Sequence, residues 1–241
     1  MLIPTPREFS FELTRQFLIR SPRENLHRMN GDVVQKAVRV NGDVVLFFIE
    51  EAEGGIRVLF PNGKPTATQK EFIKAYITEW FDLETDLKPF YSMARKDELL
   101  KDLVKKFHGY RIIGQPDLFE SLVWAVLGQQ INLAFAYTLK ARFVEGWGEK
   151  VIHKDVAHFL FPSPHIVAKL TDSDLLPLQF SRQKSKYTVG IAEAFASGLI
   201  SKEKLKGLPL IDAKDVLMKI KGVGNWTANY ALMKTFRYPD A

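Results

Sequence analysis

The feature that most constrains this chain is a change of hydrophobic period near residue 68. Before it, apolar residues alternate or run in short β-branched blocks; after it they recur at spacings of three and four. Residues 33–40 and 44–50 are such blocks, joined by Asn41-Gly42-Asp43. Asn-Gly tolerates the positive φ of a two-residue turn, so this segment predicts a β-hairpin. Glu53-Gly54-Gly55 turns the chain into a further run at 56–60, and Pro61 to Pro65 close the region. Phe9, Phe11 and Leu13 alternate with Ser10 and Glu12, which reads as one more strand, with a helix around residues 14–20. An antiparallel sheet is expected.

Beyond residue 68 the pattern is helical. Asp117 stands where a helix cap is needed, with Glu120 three positions on, and Leu118, Phe119, Leu122, Val123, Val126 and Leu127 share one face. Further helices are expected at 133–145, from Ser163-Pro164 onward, around Tyr187, Ile191, Ala194 and Phe195, at 212–220 and at 226–236. The expected class is α+β: a small antiparallel-sheet amino-terminal domain over residues 1–85, then an all-helical domain over 86–241.

With 241 residues, 46% of them hydrophobic, the chain can bury a full core and is not a disordered one. It has no cysteine, which removes disulfides, iron–sulfur clusters, thiolate zinc sites and a cysteine nucleophile. Of five histidines, His153 and His158 come nearest to a pair, yet their spacing of five does not share a helix face. No metal and no cofactor is expected. No apolar run approaches the ~18–20 residues of a membrane span. The opening Met1-Leu2-Ile3-Pro4-Thr5-Pro6-Arg7 has no secretory pattern, so a cytoplasmic protein is expected.

The net charge of +6 is unevenly placed. Residues 1–110 contribute +1 and the remainder +5, and the stretch 182–221 alone sets nine basic residues against four acidic ones. Such a field suits a polyanion; a solvated lysine-rich face reads equally well from charge alone.

Ile220-Lys221-Gly222-Val223-Gly224-Asn225-Trp226-Thr227-Ala228 is the most informative segment. Glycines at 222 and 224 can take positive φ and let a phosphate approach backbone amides at a helix start, with Lys219 and Lys221 nearby. That device grips DNA without reading its sequence. Alone, Gly-x-Gly reads equally as a plain turn between helices.

The whole stretch resembles the helix-hairpin-helix of the base-excision DNA glycosylase superfamily, with the pattern Leu-x-Gly-Val/Ile-Gly-x-x-Thr-Ala. Ala125-Val126-Leu127-Gly128-Gln129-Gln130-Ile131 resembles the helix-to-loop motif those enzymes insert into the duplex. Trp226-Thr227-Ala228-Asn229-Tyr230 and Phe161-Pro162-Ser163-Pro164 are most like the alkylated-base branch, the inducible 3-methyladenine-DNA glycosylase II family. The likeness spans residues 85–241, and the strand-rich start agrees with that branch's amino-terminal domain.

The resemblance implies base excision from duplex DNA carrying alkylated bases, by a monomer associated with the bacterial nucleoid when it acts. It implies a phosphate-gripping hairpin of Lys221, Gly222, Val223, Gly224 and Thr227. Gln129 and Gln130 would fill the gap left by an extruded base; where a relative carries leucine this chain has Gln130, so the plug would be polar. The two glutamines read alternatively as a helix end. Trp226, Tyr230 and Phe17 would line the base pocket, since an aromatic face attracts the cationic ring of an alkylated base; an aromatic pair four apart also reads as core. Glycosylases that cleave the strand carry a lysine where Trp226 stands, and tryptophan cannot form a Schiff base. A monofunctional enzyme is therefore implied.

The family's water-orienting aspartate is not matched: Asp240 falls short of its register. The resemblance thus leads to the expectation of a helical domain incomplete at its carboxy end, with the catalytic aspartate beyond Ala241 and little activity in this chain. Alternatives are a glycosylase for another damaged base, a catalytically inactive DNA-binding fragment, and a two-domain protein with a purely structural hairpin.

Overall fold

The computed structural model describes residues 1–241. Five strands form one antiparallel sheet in the order β1-β5-β4-β3-β2: β1 (Leu2–Pro4), β2 (His27–Asn30), β3 (Val33–Val40), β4 (Asp43–Ala52) and β5 (Gly55–Leu59). The β3–β4 turn places Asn41 at φ 50° and Gly42 at φ 94°, between the paired Val40 and Asp43. Both central residues are left-handed, as a turn matching the strand twist requires. One sheet face carries Val34, Val38, Phe47, Ile49, Ile56 and Val58 into a buried core. It is covered by α1 (Phe11–Leu18) and by α2 (Ala67–Trp80), which contributes Ile73, Ile77 and Trp80. Thr66 and Gln69 begin α2 with a reciprocal capping box.

The alternation at Phe9, Phe11 and Leu13 does not make a strand. Ser10 caps α1 by accepting the Leu13 amide at 3.2 Å, and Phe11, Thr14 and Leu18 form its buried face. A cap outweighs three alternating residues, which fit either period.

The short helices α3 (Lys88–Ala94) and α4 (Lys101–Lys106) lead to an extended joint, and the second half then opens with α5 (Leu118–Gly128). Every α5 residue from Leu118 to Leu127 except Glu120 is buried, as befits a central helix. Around it stand α6 (Leu133–Trp147), α7 (Pro164–Val167), α8 (Asp172–Leu175), α9 (Arg182–Ala196), α10 (Lys202–Leu205), α11 (Leu210–Met218) and α12 (Asn225–Ala231), the last running into a π-helical turn at Leu232–Phe236. This half also holds a hairpin that its periodicity does not announce, β6 (Lys150–His153) with β7 (Val156–Phe159). The loop after it packs Leu160 against Ala37 and Leu46 on the other face of the sheet, with Val151 of β6 alongside.

Residues 111–117 join the halves. Arg111 donates to the carbonyls of Glu8, Asp82 and Thr85, the Gly114 amide to Trp80, and the Gln115 amide to Lys234, while Thr235 Oγ1 donates to the Gln115 carbonyl. The joint is therefore laced to both halves and holds the space between them open. No helix is long and apolar enough to cross a membrane.

Candidate nucleic-acid interface and interdomain cavity

The turn between α11 and α12 takes the form its glycines dictate, though only one needs the left-handed region. Gly222 sits at φ 94°, and a Cβ there would meet the Tyr187 ring at 2.3 Å. Gly224 is extended at φ −89°, caps α12 and faces open space. Val223 is buried in the helical core, and Thr227 is 2% exposed, so neither side chain is offered to a ligand. Lys221 and Gly224 are exposed, and the amides of Gly224, Asn225 and Trp226 have no acceptor within the protein. Free amides at a helix start with a lysine beside them attract an anion.

The loop after α5 is tied to this turn. Gln129 Nε2 donates to the Gly222 carbonyl and to Thr227 Oγ1, both at 3.1 Å. Its amide is thus engaged inside the protein, which corrects the expectation of a gap-filling role for Gln129. Gln130 is exposed and held at φ 56°. Of the basic stretch, Lys184 and Lys202 do not join a surface field. Lys184 Nζ donates to the carbonyls of Val126 at 3.0 Å, Leu127 at 2.9 Å and Gln129 at 2.6 Å, capping α5 from inside. Lys202 pairs with Glu79 and donates to Pro116 O at 2.9 Å. Sequence counts charges; only packing tells which of them point inward.

Beside the turn, a cavity of about 60 Å³ that opens to solvent lies between the two halves. Phe17, Tyr76, Trp80, Trp124, Tyr137 and Tyr230 supply aromatic surface, and Arg20, Glu24, His27, Lys36, Glu120, Lys140 and Lys234 supply charge. Tyr230 and Phe17 thus meet in one cavity although 213 positions separate them in the chain. Trp226, expected in the same pocket, does not line the cavity: it is 61% exposed and stacks on Tyr230, with centroids 5.4 Å apart and planes at 21°. Arg20 donates from Nε to Tyr137 Oη at 2.7 Å and lies 3.9 Å over the Phe17 ring.

At the far end of the cavity Glu24 pairs with Lys140. Burial works to raise the Glu24 carboxyl, but Lys140 and His27 hold it down at about 2. Burial lowers His27 to about 4, leaving a neutral ring whose Nε2 donates to Leu18 O at 3.0 Å. Lys36, lowered by burial, donates to Leu26 O at 3.1 Å, and burial raises Glu120. Trp124, Tyr137, Lys140 and Lys234 carried no sequence signal for this cavity, because only the meeting of the two halves brings them together. No group of three or more histidine, aspartate or glutamate side chains is gathered to hold a metal ion.

The glycine turn thus carries free amides, is locked to a neighbouring helix end and is set beside an aromatic cleft. Two family models match the chain: the 8-oxoguanine DNA glycosylase N-terminal domain over residues 20–122, and the HhH-GPD superfamily base excision DNA repair protein over 123–238. The DNA-3-methyladenine glycosylase of Bacillus subtilis is 40% identical over 244 residues, covering 100% of this chain and 80% of that protein. DNA-3-methyladenine glycosylase 2 of Escherichia coli is 30% identical over 139 residues, 55% of this chain and 46% of that protein. The 3-methyladenine DNA-glycosylase structure from Archaeoglobus fulgidus superposes with a TM-score of 0.84 over 98% of this chain and 80% of that one, at 24% identity, a likeness of fold. The chain belongs to the HhH-GPD superfamily of base excision DNA repair proteins.

Proposed function

We propose that this protein is a monofunctional DNA glycosylase that acts as a monomer on duplex DNA carrying alkylated bases. The observation that carries the reading is the stacked Trp226–Tyr230 pair, set between the hairpin and the aromatic cavity. A base can be excised only after it leaves the stack, so a grip on the backbone must adjoin a pocket for a flat ring. Lys221 and the amides around Gly224 would hold phosphate, Gln130 would occupy the vacated gap, and Tyr230 and Phe17 would receive the base, with Trp226 at the mouth. The names of the Bacillus and Escherichia relatives support alkylated bases as the substrate.

In the reaction, water oxygen bonds to sugar C1′ as the C1′–N bond breaks, and the bonding electron pair leaves with the base. A carboxylate would take the water proton and stabilise the cationic sugar. Asp240 is exposed on the terminal turn and does not line the cavity, so that role is not assigned to it. Trp226 offers no amine to the sugar, so the strand is left intact. The match of residues 20–122 to the 8-oxoguanine glycosylase domain supports a second reading, an oxidised base.

The test is binding of the 241-residue chain to duplexes with and without an abasic-site analogue, paired with base release from methylated duplex and borohydride trapping. Tighter, salt-sensitive binding to the analogue is expected, with little release, no trapped adduct, and loss of the preference in Trp226→Ala. Equal affinity for both duplexes would overturn the glycosylase reading, and a trapped adduct would overturn the monofunctional one.

A further inference from the structure

Helix α9 lies under both the loop after α5 and the glycine turn. Its Lys184 holds the Gln129 carbonyl, and Tyr187, three positions on and so on the same face, packs its ring against Gly222. The packing is close: a Cβ added at Gly222 would meet the ring carbons at 2.3, 2.6 and 2.7 Å. The carbonyl of the same glycine accepts from Gln129 Nε2 at 3.1 Å. Gly222 is thus clamped on two sides, and the Tyr187 ring has a fixed place relative to the free amides of the turn.

The Tyr187 hydroxyl has no part in that packing, and phenylalanine would fill the space under Gly222 equally well. The oxygen stands at the surface and accepts from Gln183 Nε2, one turn back along α9, at 2.7 Å. That bond fixes the oxygen and occupies one of its acceptor positions, while the O–H remains an unspent donor with no acceptor in the protein. The charges around it say which acceptor it suits. Arg182 and Lys186 on α9 and Lys221 on the turn are exposed, and none of them pairs with a carboxylate. Asp172 of α8 is engaged by Ser185 Oγ at 2.7 Å, on the far side of the helix from Tyr187. An anionic oxygen arriving here would meet three uncompensated cations and one oriented neutral donor. Tyrosine is among the side chains that hold DNA phosphates.

We propose that the Tyr187 hydroxyl is a further DNA-backbone contact, donating to an oxygen of the phosphate next to the one held at the glycine turn. The proposal rests on reading that turn as the phosphate grip. Two tasks are then divided within one side chain: the ring shapes the turn and the hydroxyl binds. Such a contact fixes the register of the protein on the strand. It adds nothing to the salt dependence, because a phenol brings no charge to replace counterions.

The test compares the 241-residue chain with Tyr187→Phe and Lys221→Gln on a duplex carrying one abasic-site analogue, titrated by fluorescence anisotropy at several salt concentrations. Tyr187→Phe should bind about tenfold more weakly with the salt slope of the wild type, whereas Lys221→Gln should lower that slope by about one. Duplexes with a single methylphosphonate, in which a methyl group replaces one phosphate oxygen and removes the charge, then locate the contact. At one position the substitution should weaken the wild type and leave Tyr187→Phe no weaker than before. Wild-type affinity in Tyr187→Phe, or methylphosphonate penalties equal in the two proteins at every position, would overturn the contact. Wild-type affinity and slope in Lys221→Gln would overturn the phosphate-gripping turn as well, a separate and visible result. The thermal midpoint of Tyr187→Phe, equal to wild type, shows that the ring keeps its place under Gly222.

Discussion

The side-chain amide of Gln129 donates to Thr227 Oγ1 at 3.1 Å and so fastens the end of α5 to the start of α12. With Lys184 capping the same helix end, the loop carrying Gln130 and the glycine turn become one rigid edge. A surface that must hold DNA in one register gains from such a lock, because ordering is completed in folding and is not repeated on binding.

Lys184→Met is expected to lower stability by about 2–3 kcal/mol, since it leaves the carbonyls of Val126, Leu127 and Gln129 without their donor. Gln129→Leu should cost about 1 kcal/mol yet weaken binding to an abasic-analogue duplex more than to plain duplex. Urea unfolding and fluorescence anisotropy measure the two effects. Wild-type stability in Lys184→Met would show that water replaces the ammonium.

The two hairpin glycines should separate folding from binding. Gly222→Ala combines a left-handed φ with a Cβ 2.3 Å from Tyr187 and should cost about 2–4 kcal/mol. Gly224→Ala meets open space at an ordinary φ and should cost under ~1 kcal/mol. The added methyl would nevertheless stand among the free amides, so its DNA affinity should fall at low salt. Chemical denaturation of both variants, with a salt titration of binding, decides the matter.

His27 supplies a pH dependence of definite sign. Burial depresses its folded pKa from 6.5 to about 4, so as pH falls through this window the unfolded chain takes up a proton that the folded one refuses. Stability is therefore fully present above the unfolded value and declines toward pH 4, by at most about 1.4 kcal/mol per pH unit. Glu24, held at about 2 chiefly by Lys140 against its own burial, extends the decline from 4.5 downward by the same sign. In His27→Gln the decline between 6.5 and 4 should flatten, as seen in urea midpoints across that range. An unchanged slope would place the proton uptake on other groups.

Much of this molecule was legible before any coordinates. The period change announced a sheet followed by helices, Asn41-Gly42 announced its hairpin, and Asp117 announced the cap of α5. These signals are local: a turn, a cap or an apolar stripe depends on residues within a few positions of one another. The helix-hairpin-helix pattern is local too, which is why its glycines could be read in order. Phe9 to Leu13 misled because three alternating residues are too few to separate the two periods.

What sequence alone determined, then, is the pair of half-structures and the chemistry of the hairpin between the last helices. Tertiary structure decided where the side chains went. It turned Gln129, Thr227 and Val223 inward, took Lys184 and Lys202 out of the basic face, and left Trp226 exposed against Tyr230. It also joined Phe17 to Tyr230 and Lys234 across a cavity neither half can form alone. The physical reason is that burial and charge compensation are properties of a three-dimensional neighbourhood. They depend on which distant segments meet, and no window of sequence holds that information.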